Sequence, residues 1–378
     1  MLKSISLQNF RNYKKSSFQF DGKSVVIIGP NTVGKSNLIE SIFLLSTGKS
    51  FRAEKDSQMV LFDHELGRVK GSAEQTSLEV VVTVGEVIGV KTQFKRYFVN
   101  GVAKRRVDFV GNLPSVLFSP QDLEIVVGSP GVRRSFLDNV LEQTDRDYRI
   151  ALIGYTKAIR QRNALLELVK DNWSRRPGRR LGEVSDSERG PSPNREVLRT
   201  GGLARREKEF EYWDSLVIRN GNVLTKKREE FVGYLNESSK DILNFKIEYD
   251  KSVISVERLL QYRDAESASG VTLVGPHRDD FIVLFNKGHD LKSFGSRGQQ
   301  RLGVLQLKLL ELAYVRERVE NEPILLLDDV FSELDEDHIK LILTIRDKQQ
   351  TIITTTHEEF IPSKIKGTME VIELTINN

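Results

Sequence analysis

The sequence predicts an α/β fold in which both ends of the chain supply a mixed sheet and the middle supplies a mainly helical insertion. Three observations support this prediction. A glycine-rich turn separates an apolar run at 25–28 from an amphipathic segment at 36–45, and a second apolar run at 324–327 ends in two aspartates. Between about 124 and 270, apolar residues follow the 3.6-residue spacing of helices. The two ends are therefore expected to meet in one domain.

The first turn has the sequence of a phosphate-binding loop, G-P-N-T-V-G-K-S. Its glycines allow the backbone to wrap, so that successive N–H groups point at phosphate oxygens at the positive end of the following helix. We expect Lys35 to reach the terminal phosphates and the Ser36 hydroxyl to hold Mg²⁺. A chance Gly-Lys-Ser turn is the alternative, which the flanking strand and helix disfavour. The residues expected to contact the nucleotide are Gly29, Pro30, Asn31, Thr32, Val33, Gly34, Lys35, Ser36 and Asn37.

The second apolar run, Ile324 to Leu327, is typical of a buried parallel strand. It delivers Asp328 and Asp329 to the edge at which open α/β sheets bind their ligands. We expect Asp328 to hold Mg²⁺ through water and Asp329 to polarise an attacking water. The alternative is that the two aspartates cap a following helix.

A third motif precedes that strand. Ser296-Arg297-Gly298-Gln299 opens an amphipathic helix and resembles the signature motif of the ABC ATPase superfamily, in which Ser296, Gly298 and Gln299 match. A hydroxyl, free N–H groups and a helix dipole suit contact with an anion. The resemblance implies that this helix start contacts ATP held by a second copy of the chain. An ordinary helix start is the alternative.

Three further assignments follow from the superfamily resemblance. Residues 332–335 resemble its D-loop, and His357, after a β-branched run at 351–356, resembles the switch histidine that contacts the terminal phosphate. Gln121 matches the metal-sensing glutamine of the Q-loop. Ser119 and Pro120 also form a good helix start, and these two interpretations of Gln121 stay open.

The long separation between the phosphate loop and the signature motif is unlike a transporter subunit, and no run of about 20 apolar residues is present. No sustained heptads fill the insertion. The chain resembles the RecF family of bacterial DNA replication and repair proteins. Beyond the nucleotide motifs, the matching stretches are 7–13, 45–52, 128–134 with 136–138, and 275–280. The resemblance implies an ABC-type ATPase head at 1–123 and 271–378 around a helical arm at 124–270.

The RecF resemblance implies an ATP-driven homodimer that clamps double-stranded DNA near single-strand gaps and ds/ss junctions, and that works with RecO and RecR to load RecA. It also implies a cytoplasmic location and weak, DNA-stimulated ATP hydrolysis, which stays uncertain. The alternatives are the ATPase of an overcoming-lysogenization-defect type nuclease and a scaffold that binds ATP without turnover. The DNA contacts expected by resemblance are Arg52, Lys55, Lys104, Arg105, Arg106, Arg133 and Arg134.

Composition adds smaller constraints. The chain has no cysteine, which excludes disulfides and thiolate metal sites, and no signal peptide is expected at its start. A Pro-, Gly-, Ser- and Arg-rich stretch near 172–202 predicts a disordered loop, which is either a phosphate contact for DNA or a solvated linker. Thr32 stands where the family usually has glycine. We therefore expect a stiffer loop, in which Asn31 tolerates the unusual dihedrals.

Overall fold

The structure of the protein is a computed structural model that describes residues 1–174, 193–330, 339, 348–356 and 369–375. It divides into two compact units. The first comprises Met1–Arg146, Tyr234–Ile247 and Ile282–Asn378, and the second comprises Asp147–Gly233 and Glu248–Phe281. Within the described residues, no helix combines the length and apolar character needed to cross a membrane.

The strands are β1 Leu2–Phe10, β2 Tyr13–Gln19, β3 Ser24–Ile28, β4 Leu66–Ala73, β5 Thr76–Thr83, β6 Glu86–Val87, β7 Val90–Lys91, β8 Lys95–Val99, β9 Val102–Lys104, β10 Ser115–Phe118, β11 Phe245–Asp250, β12 Asp280–Phe285, β13 His289–Asp290, β14 Ile324–Asp328, β15 Thr351–Thr355 and β16 Glu370–Glu373. The helices are α1 Lys35–Thr47, α2 Arg106–Phe109, α3 Glu124–Val127, α4 Pro130–Thr144, α5 Arg146–Ser174, α6 Pro193–Glu237, α7 Val256–Ser269, α8 Leu291–Phe294 and α9 Arg297–Arg318. Short 3-10 helices cover Asp56–Met59, Pro120–Leu123 and Pro276–Arg278.

The first unit contains a parallel sheet in the order β10-β14-β15-β3-β16. Every residue of β14 is buried, as expected for a strand covered on both faces. Phe118 pairs with Leu327, and Asp328 pairs with Thr354. The carboxyl ends of β10, β14, β15 and β3 therefore lie along one edge. The predicted parallel strand that ends in aspartates is confirmed.

A second sheet of the first unit is antiparallel, in the order β2-β1-β4-β5-β8-β9. Its strand β1 buries Leu2, Ile5, Leu7 and Phe10. These side chains share one hydrophobic core with α1 and with the parallel sheet. The predicted α/β class is confirmed, and the two largest sheets are one parallel and one antiparallel sheet.

The second unit is mainly helical and contains α5, nearly all of α6, and α7. The disordered loop predicted near 172–202 is wrong at its edges, because α5 continues to Ser174 and α6 begins at Pro193. Proline is favoured in the first turn of a helix, where its missing N–H has no partner to lose. The rest of that predicted loop, 175–192, lies outside the described residues.

Candidate nucleotide-binding site

The phosphate loop is held by the turn between β1 and β2. Gly34 is the N-cap of α1, with φ 117°. The Tyr13 hydroxyl donates to the Gly34 carbonyl at 3.0 Å, and Asn12 Nδ2 donates to the Val33 carbonyl at 3.1 Å. A Cβ at position 34 would lie 2.8 Å from Tyr13 Oη, so glycine is required by both dihedral and space. Asn12 and Tyr13 were not predicted as site residues, although the stretch 7–13 that contains them carried the family resemblance.

Thr32 occupies the left-handed region of the loop, with φ 71°. Asn31, which could tolerate such a dihedral, does not have a positive φ. A β-branched residue is strained in this region because its Cβ crowds the neighbouring carbonyl. The strain therefore falls at the position where the family usually has glycine.

The Lys35 side chain folds back over the phosphate loop. Its Nζ donates to the carbonyls of Gly29 at 2.7 Å and Pro30 at 3.0 Å, and the residue is 7% exposed. Burial lowers the pKa of Lys35, and the charges of Asp329 and Asp328 oppose that change. The ammonium is therefore held by backbone oxygens that an incoming anion can replace without breaking an ion pair.

The candidate magnesium ligands are in contact. Ser36 Oγ donates to Asp328 Oδ1 at 2.9 Å, and Thr354 Oγ1 donates to the same oxygen at 2.9 Å. Burial raises the pKa of Asp328. Hydrogen bonds from Thr354 and Ser36, and the positive charges of Arg52 and Lys35, act in the opposite direction. A hydroxyl beside a carboxylate is an oxygen donor set that fits Mg²⁺.

The described residues contain no group of three or more Asp, Glu, His or Cys side chains arranged to hold a metal ion. Mg²⁺ at a nucleotide needs only one or two carboxylates, since phosphate oxygens and water complete its coordination. Ser36 and Asp328 therefore fit this ion without a third acidic ligand.

Asp329 turns away from the end of β14, with φ 53°, and its N–H donates to Thr354 Oγ1 at 3.0 Å. Its charge influences the pKa of Lys35, so it belongs to the same electrostatic site. The alternative role as a helix cap concerns residues 331–338, which lie outside the described residues, as does the D-loop at 332–335. His357 also lies outside them.

The predicted helix start at Ser296 is present. Ser296 is the N-cap of α9: its hydroxyl accepts from the N–H of Gln299 at 3.3 Å, and Gln299 Oε1 accepts from the N–H of Ser296 at 2.9 Å. Ser296 and Gly298 are exposed. A Cβ at Gly298 would meet only Ser296 Oγ, at 4.0 Å. Packing within the chain therefore does not require glycine at 298.

Gln121 lies in the 3-10 helix that follows β10, and its side chain is exposed. The helix start predicted here is present, because Ser119 is its N-cap and Pro120 its first residue. Since β10 ends beside β14, the same turn follows the sheet edge that carries Asp328. The turn is thus both a helix start and a neighbour of the sheet edge that carries Asp328.

The expected DNA contacts divide into accessible and inaccessible cations. Lys55, Lys104 and Arg105 are exposed, and Arg134 is half-buried. Arg105 pairs with Asp108 at 3.1 Å. These side chains reach the surface, as contact with a phosphate requires.

Arg106 and Arg133 are much less accessible to a DNA phosphate than the other expected contacts. The Arg106 side chain is 17% exposed, and its guanidinium donates to both carboxylate oxygens of Glu142, at 2.6 and 3.0 Å, and to the Thr47 carbonyl. Arg133 is 6% exposed and donates to the Gly128 carbonyl at 2.9 Å. Both guanidinium groups are already used to hold segments of the first unit together.

Arg52 is exposed but lies on the nucleotide side. Its Nη1 donates to Asn37 Oδ1 at 3.2 Å, and its charge opposes the burial that raises the pKa of Asp328. The preceding Ser50 hydroxyl fixes this segment by accepting from the N–H groups of Arg52 and Ala53, at 2.9 and 2.7 Å. Its position suits a phosphate of the nucleotide better than one of DNA.

The chain is similar to known proteins over nearly its whole length. Residues 1–374 match the family described as the RecF/RecN/SMC N terminal domain. A curated protein from Agathobacter rectalis named DNA replication and repair protein RecF is 32% identical over 99% of both chains. Another of that name, from Trichodesmium erythraeum, is 36% identical over 94% of this chain and 92% of its own.

Two solved structures are also similar. One, described as the recombination mediator protein RecF-ATPrS in the RecFOR pathway, has a TM-score of 0.78 and 30% identity, covering 100% of this chain and 96% of its own. A second, described as RecF-ATP in the same pathway, has a TM-score of 0.77 and 32% identity, covering 96% of this chain and 93% of its own.

Proposed function

This chain belongs to the RecF family, and from that membership we propose that it is an ATP-dependent DNA-binding protein of recombinational repair and replication restart. Two relatives of known structure are described with ATP or ATPrS in the RecFOR pathway. Neither the nuclease-associated ATPase nor the non-hydrolysing scaffold is favoured by these relatives. The observation that carries the proposal is the contact between Ser36 and Asp328, which joins the two separated nucleotide motifs.

In the proposed site, backbone N–H groups at the start of α1 bind phosphate oxygens, and Lys35 exchanges its two carbonyl partners for the terminal phosphates. Ser36 and Asp328 would hold Mg²⁺, which neutralises phosphate charge when bound. Arg52, which donates to Asn37 in the first turn of α1, would be a further phosphate contact. Asp329 orients the attacking water, and His357 contacts the terminal phosphate by family resemblance.

The proposed dimer has each nucleotide between the phosphate loop of one copy and the start of α9 in the other. Ser296, Gly298 and Gln299 lie at the positive end of that helix, where the Ser296 hydroxyl and the Gly298 N–H would meet the phosphates and Gln299 holds the turn through its capping-box hydrogen bond. The open space around Gly298 supports this role, since close approach of an anion is a reason for glycine there. ATP would then stabilise the dimer because it binds both copies at once.

The proposed DNA contacts are the accessible cations Lys55, Lys104, Arg105 and Arg134, which suit backbone phosphates rather than base edges. We further propose that double-stranded DNA at ds/ss junctions is the ligand, and that RecR, acting with RecO, is the protein partner. Weak, DNA-stimulated ATP hydrolysis would release the DNA. A cytoplasmic location belongs to the same proposal.

Sedimentation with ATP, with ADP and without nucleotide tests whether ATP controls dimerisation and DNA binding. We expect a dimer that binds duplex DNA only with ATP, and loss of both properties in Lys35→Arg, because a guanidinium does not reproduce the ammonium contacts. Lys14→Arg, at an exposed position of β2, is the matched control and should behave as wild type. The proposal would be refuted if self-association and DNA binding were the same with and without ATP and in Lys35→Arg.

A second experiment separates the DNA preference from the nucleotide chemistry. Binding to gapped, duplex and single-stranded DNA is measured with a non-hydrolysable ATP analogue, and turnover is measured with ATP. Tightest binding to the gapped substrate is expected. Binding without turnover would instead identify the non-hydrolysing scaffold.

A further inference from the structure

A fully buried carboxylate lies on the helix that follows the phosphate loop. Glu40 is further along α1 than Lys35 and is 0% exposed. The mechanism proposed above gives Glu40 no role, since Lys35, Ser36 and Asp328 supply the contacts to phosphate and Mg²⁺. A carboxylate without access to water is unfavourable unless cations and hydrogen-bond donors surround it. The partners of Glu40 therefore indicate what it does.

The first partner is Arg11, in the turn between β1 and β2. Its Nε donates to Glu40 Oε2 at 2.8 Å and its Nη2 donates to Oε1 at 2.6 Å, which is the bidentate geometry of a strong arginine–carboxylate pair. Arg11 Nη1 also donates to the Gln58 carbonyl at 2.8 Å. The guanidinium is thus fixed by two segments, and it holds the Glu40 carboxylate in one orientation.

The second partner is the Ser50 hydroxyl, which donates to Glu40 Oε1. The same hydroxyl oxygen accepts from the backbone N–H groups of Arg52 at 2.9 Å and Ala53 at 2.7 Å. A hydroxyl has one proton to donate and two lone pairs to accept, and all three are used here. Glu40 therefore orients Ser50, and Ser50 fixes the backbone at Arg52.

The Arg52 side chain returns from this segment to the start of α1. Its Nη1 donates to Asn37 Oδ1 at 3.2 Å, and Asn37 Nδ2 donates to Asn12 Oδ1 at 2.8 Å. Asn12 is the next residue after Arg11. The hydrogen bonds therefore form a closed circuit that passes through Arg11, Glu40, Ser50, Arg52, Asn37 and Asn12.

An exposed arginine benefits from such support when it binds a phosphate. Ordering a long side chain costs conformational entropy, and a mobile backbone beneath it adds to that cost. Arg52 is exposed, and its charge is close enough to Asp328 to oppose the rise in the pKa of that carboxyl. A backbone fixed by a buried group therefore lowers the entropic cost of placing the guanidinium at the nucleotide.

We propose that Glu40 is a positioning residue that acts through Ser50 to hold Arg52 at the phosphates of the nucleotide. The proposal rests on the proposed function, in which Arg52 is a phosphate contact. Glu40 itself does not contact the phosphates in this arrangement. If Glu40 served only to join α1 to the turn at Arg11, the effect of changing it on ATP affinity would not depend on Arg52.

Ser50→Ala tests the link, because it removes the hydroxyl between Glu40 and Arg52 and leaves the ion pair with Arg11 in place. The dissociation constant for ATP with Mg²⁺, measured by calorimetry, should rise by about threefold to tenfold, as expected for lost hydrogen bonds. Arg52→Gln should raise it at least as much. In Arg52→Gln, adding Ser50→Ala should change the constant by less than about twofold, because the contact that Ser50 supports is already absent.

Glu40→Gln should likewise weaken ATP binding in the wild-type background and have little effect in Arg52→Gln. If Glu40→Gln does not fold, because Arg11 is left without a carboxylate, the Ser50 variants still decide the question. Ser50→Thr keeps the hydroxyl and should stay within about twofold of wild type. Ser41→Ala is the matched control: Ser41 is the buried neighbour of Glu40 on α1, and its hydroxyl donates to the Leu38 carbonyl of the same helix at 2.6 Å.

The inference is overturned if Ser50→Ala binds ATP as wild type does, or if its effect is the same with and without the Arg52 guanidinium. An equal loss of affinity in Ser50→Thr or in the Ser41→Ala control would also overturn it, and so would wild-type affinity in Arg52→Gln. A wild-type protein that does not bind ATP would instead contradict the proposed function.

Discussion

The phosphate loop and the segment 275–280 each contain a glycine with positive φ and lie near a buried cation. The two cations differ in their partners. Each region has a glycine with strongly positive φ, Gly34 at 117° and Gly275 at 120°, and each places a cation near an aspartate. In the loop, Lys35 donates only to backbone carbonyls. In the second unit, Arg228 donates to the fully buried Asp279 at 2.9 Å. A buried cation can therefore exchange its partners in the phosphate loop, whereas the buried cation of the second unit is fixed in an ion pair.

In the segment around Asp279, Arg228 has several buried partners that a ligand could not easily replace. Arg228 also donates to the Tyr148 hydroxyl at 3.0 Å and to the Pro276 carbonyl at 2.7 Å. Asp279 accepts from the Tyr249 hydroxyl and from the N–H of Ser252. An incoming ligand would have to replace a buried ion pair, which leaves an uncompensated charge. The segment 275–280 therefore holds parts of the helical unit together.

The largest effect is expected from Arg228→Met. Removing one partner of a buried ion pair leaves Asp279 charged and unpaired, so the free energy of unfolding should fall by about 3–5 kcal/mol. Urea titration measures this change. Arg219→Met, at an exposed position of the same helix, is the control and should change it by less than about 0.5 kcal/mol. A small effect at Arg228 would remove the contrast between the two regions.

Lys35→Ala should show the reverse pattern. Only hydrogen bonds to carbonyls on the loop are lost, so thermal stability should change little. The affinity for ATP should fall by about tenfold to hundredfold, since a hydrogen bond to a charged group contributes about 1.5–3 kcal/mol. Calorimetry with ATP measures the affinity, and Lys14→Ala is the exposed control. Unchanged ATP affinity would show that the loop is structural, like 275–280.

The sequence predicted what depends on neighbours along the chain. The phosphate loop, the strand before Asp328 and the helix start at Ser296 are set by local spacing, and all three are present. Contacts between distant segments were not predictable in this way. Nothing in the spacing indicated that Thr354 would donate to Asp328.

The differences between the expected and the observed residues also come from contacts between distant segments. Arg106 and Arg133 were expected to contact DNA because of the family resemblance, and a phosphate contact requires an accessible side chain. Their burial depends on Glu142 and on the Gly128 carbonyl, which only tertiary structure brings to them. Likewise, the loop places its positive φ at Thr32, although propensity alone favours Asn31.

Glu311 on α9 is buried and forms an ion pair with Lys308, yet its pKa is shifted. It therefore lies between the exchangeable contacts of Lys35 and the fixed ion pair of Arg228. Burial raises the folded pKa of Glu311 to about 7, above the ordinary value of 4.5 for a glutamate. Its contribution to stability is therefore fully present below about pH 4.5 and is lost as the pH rises towards 7. Between pH 5.5 and 7, Glu311→Gln should gain stability relative to wild type by on the order of 1 kcal/mol. A difference independent of pH, measured by urea titration across this range, would contradict this assignment.

The smallest effect is expected from Thr32→Gly. This variant tests whether the positive φ of Thr32 strains the phosphate loop. Relief of a left-handed β-branched residue is worth about 1–2 kcal/mol, and the greater freedom of glycine in the unfolded chain removes about 0.4–1 kcal/mol of that gain. A net stabilisation of about 0.5–1 kcal/mol should appear in urea titration. Asn31→Gly is the matched control, because its φ is not positive and only the entropic loss applies. If both variants are destabilised equally, Thr32 carries no strain, and the loop is as relaxed as the buried segment with which it was compared.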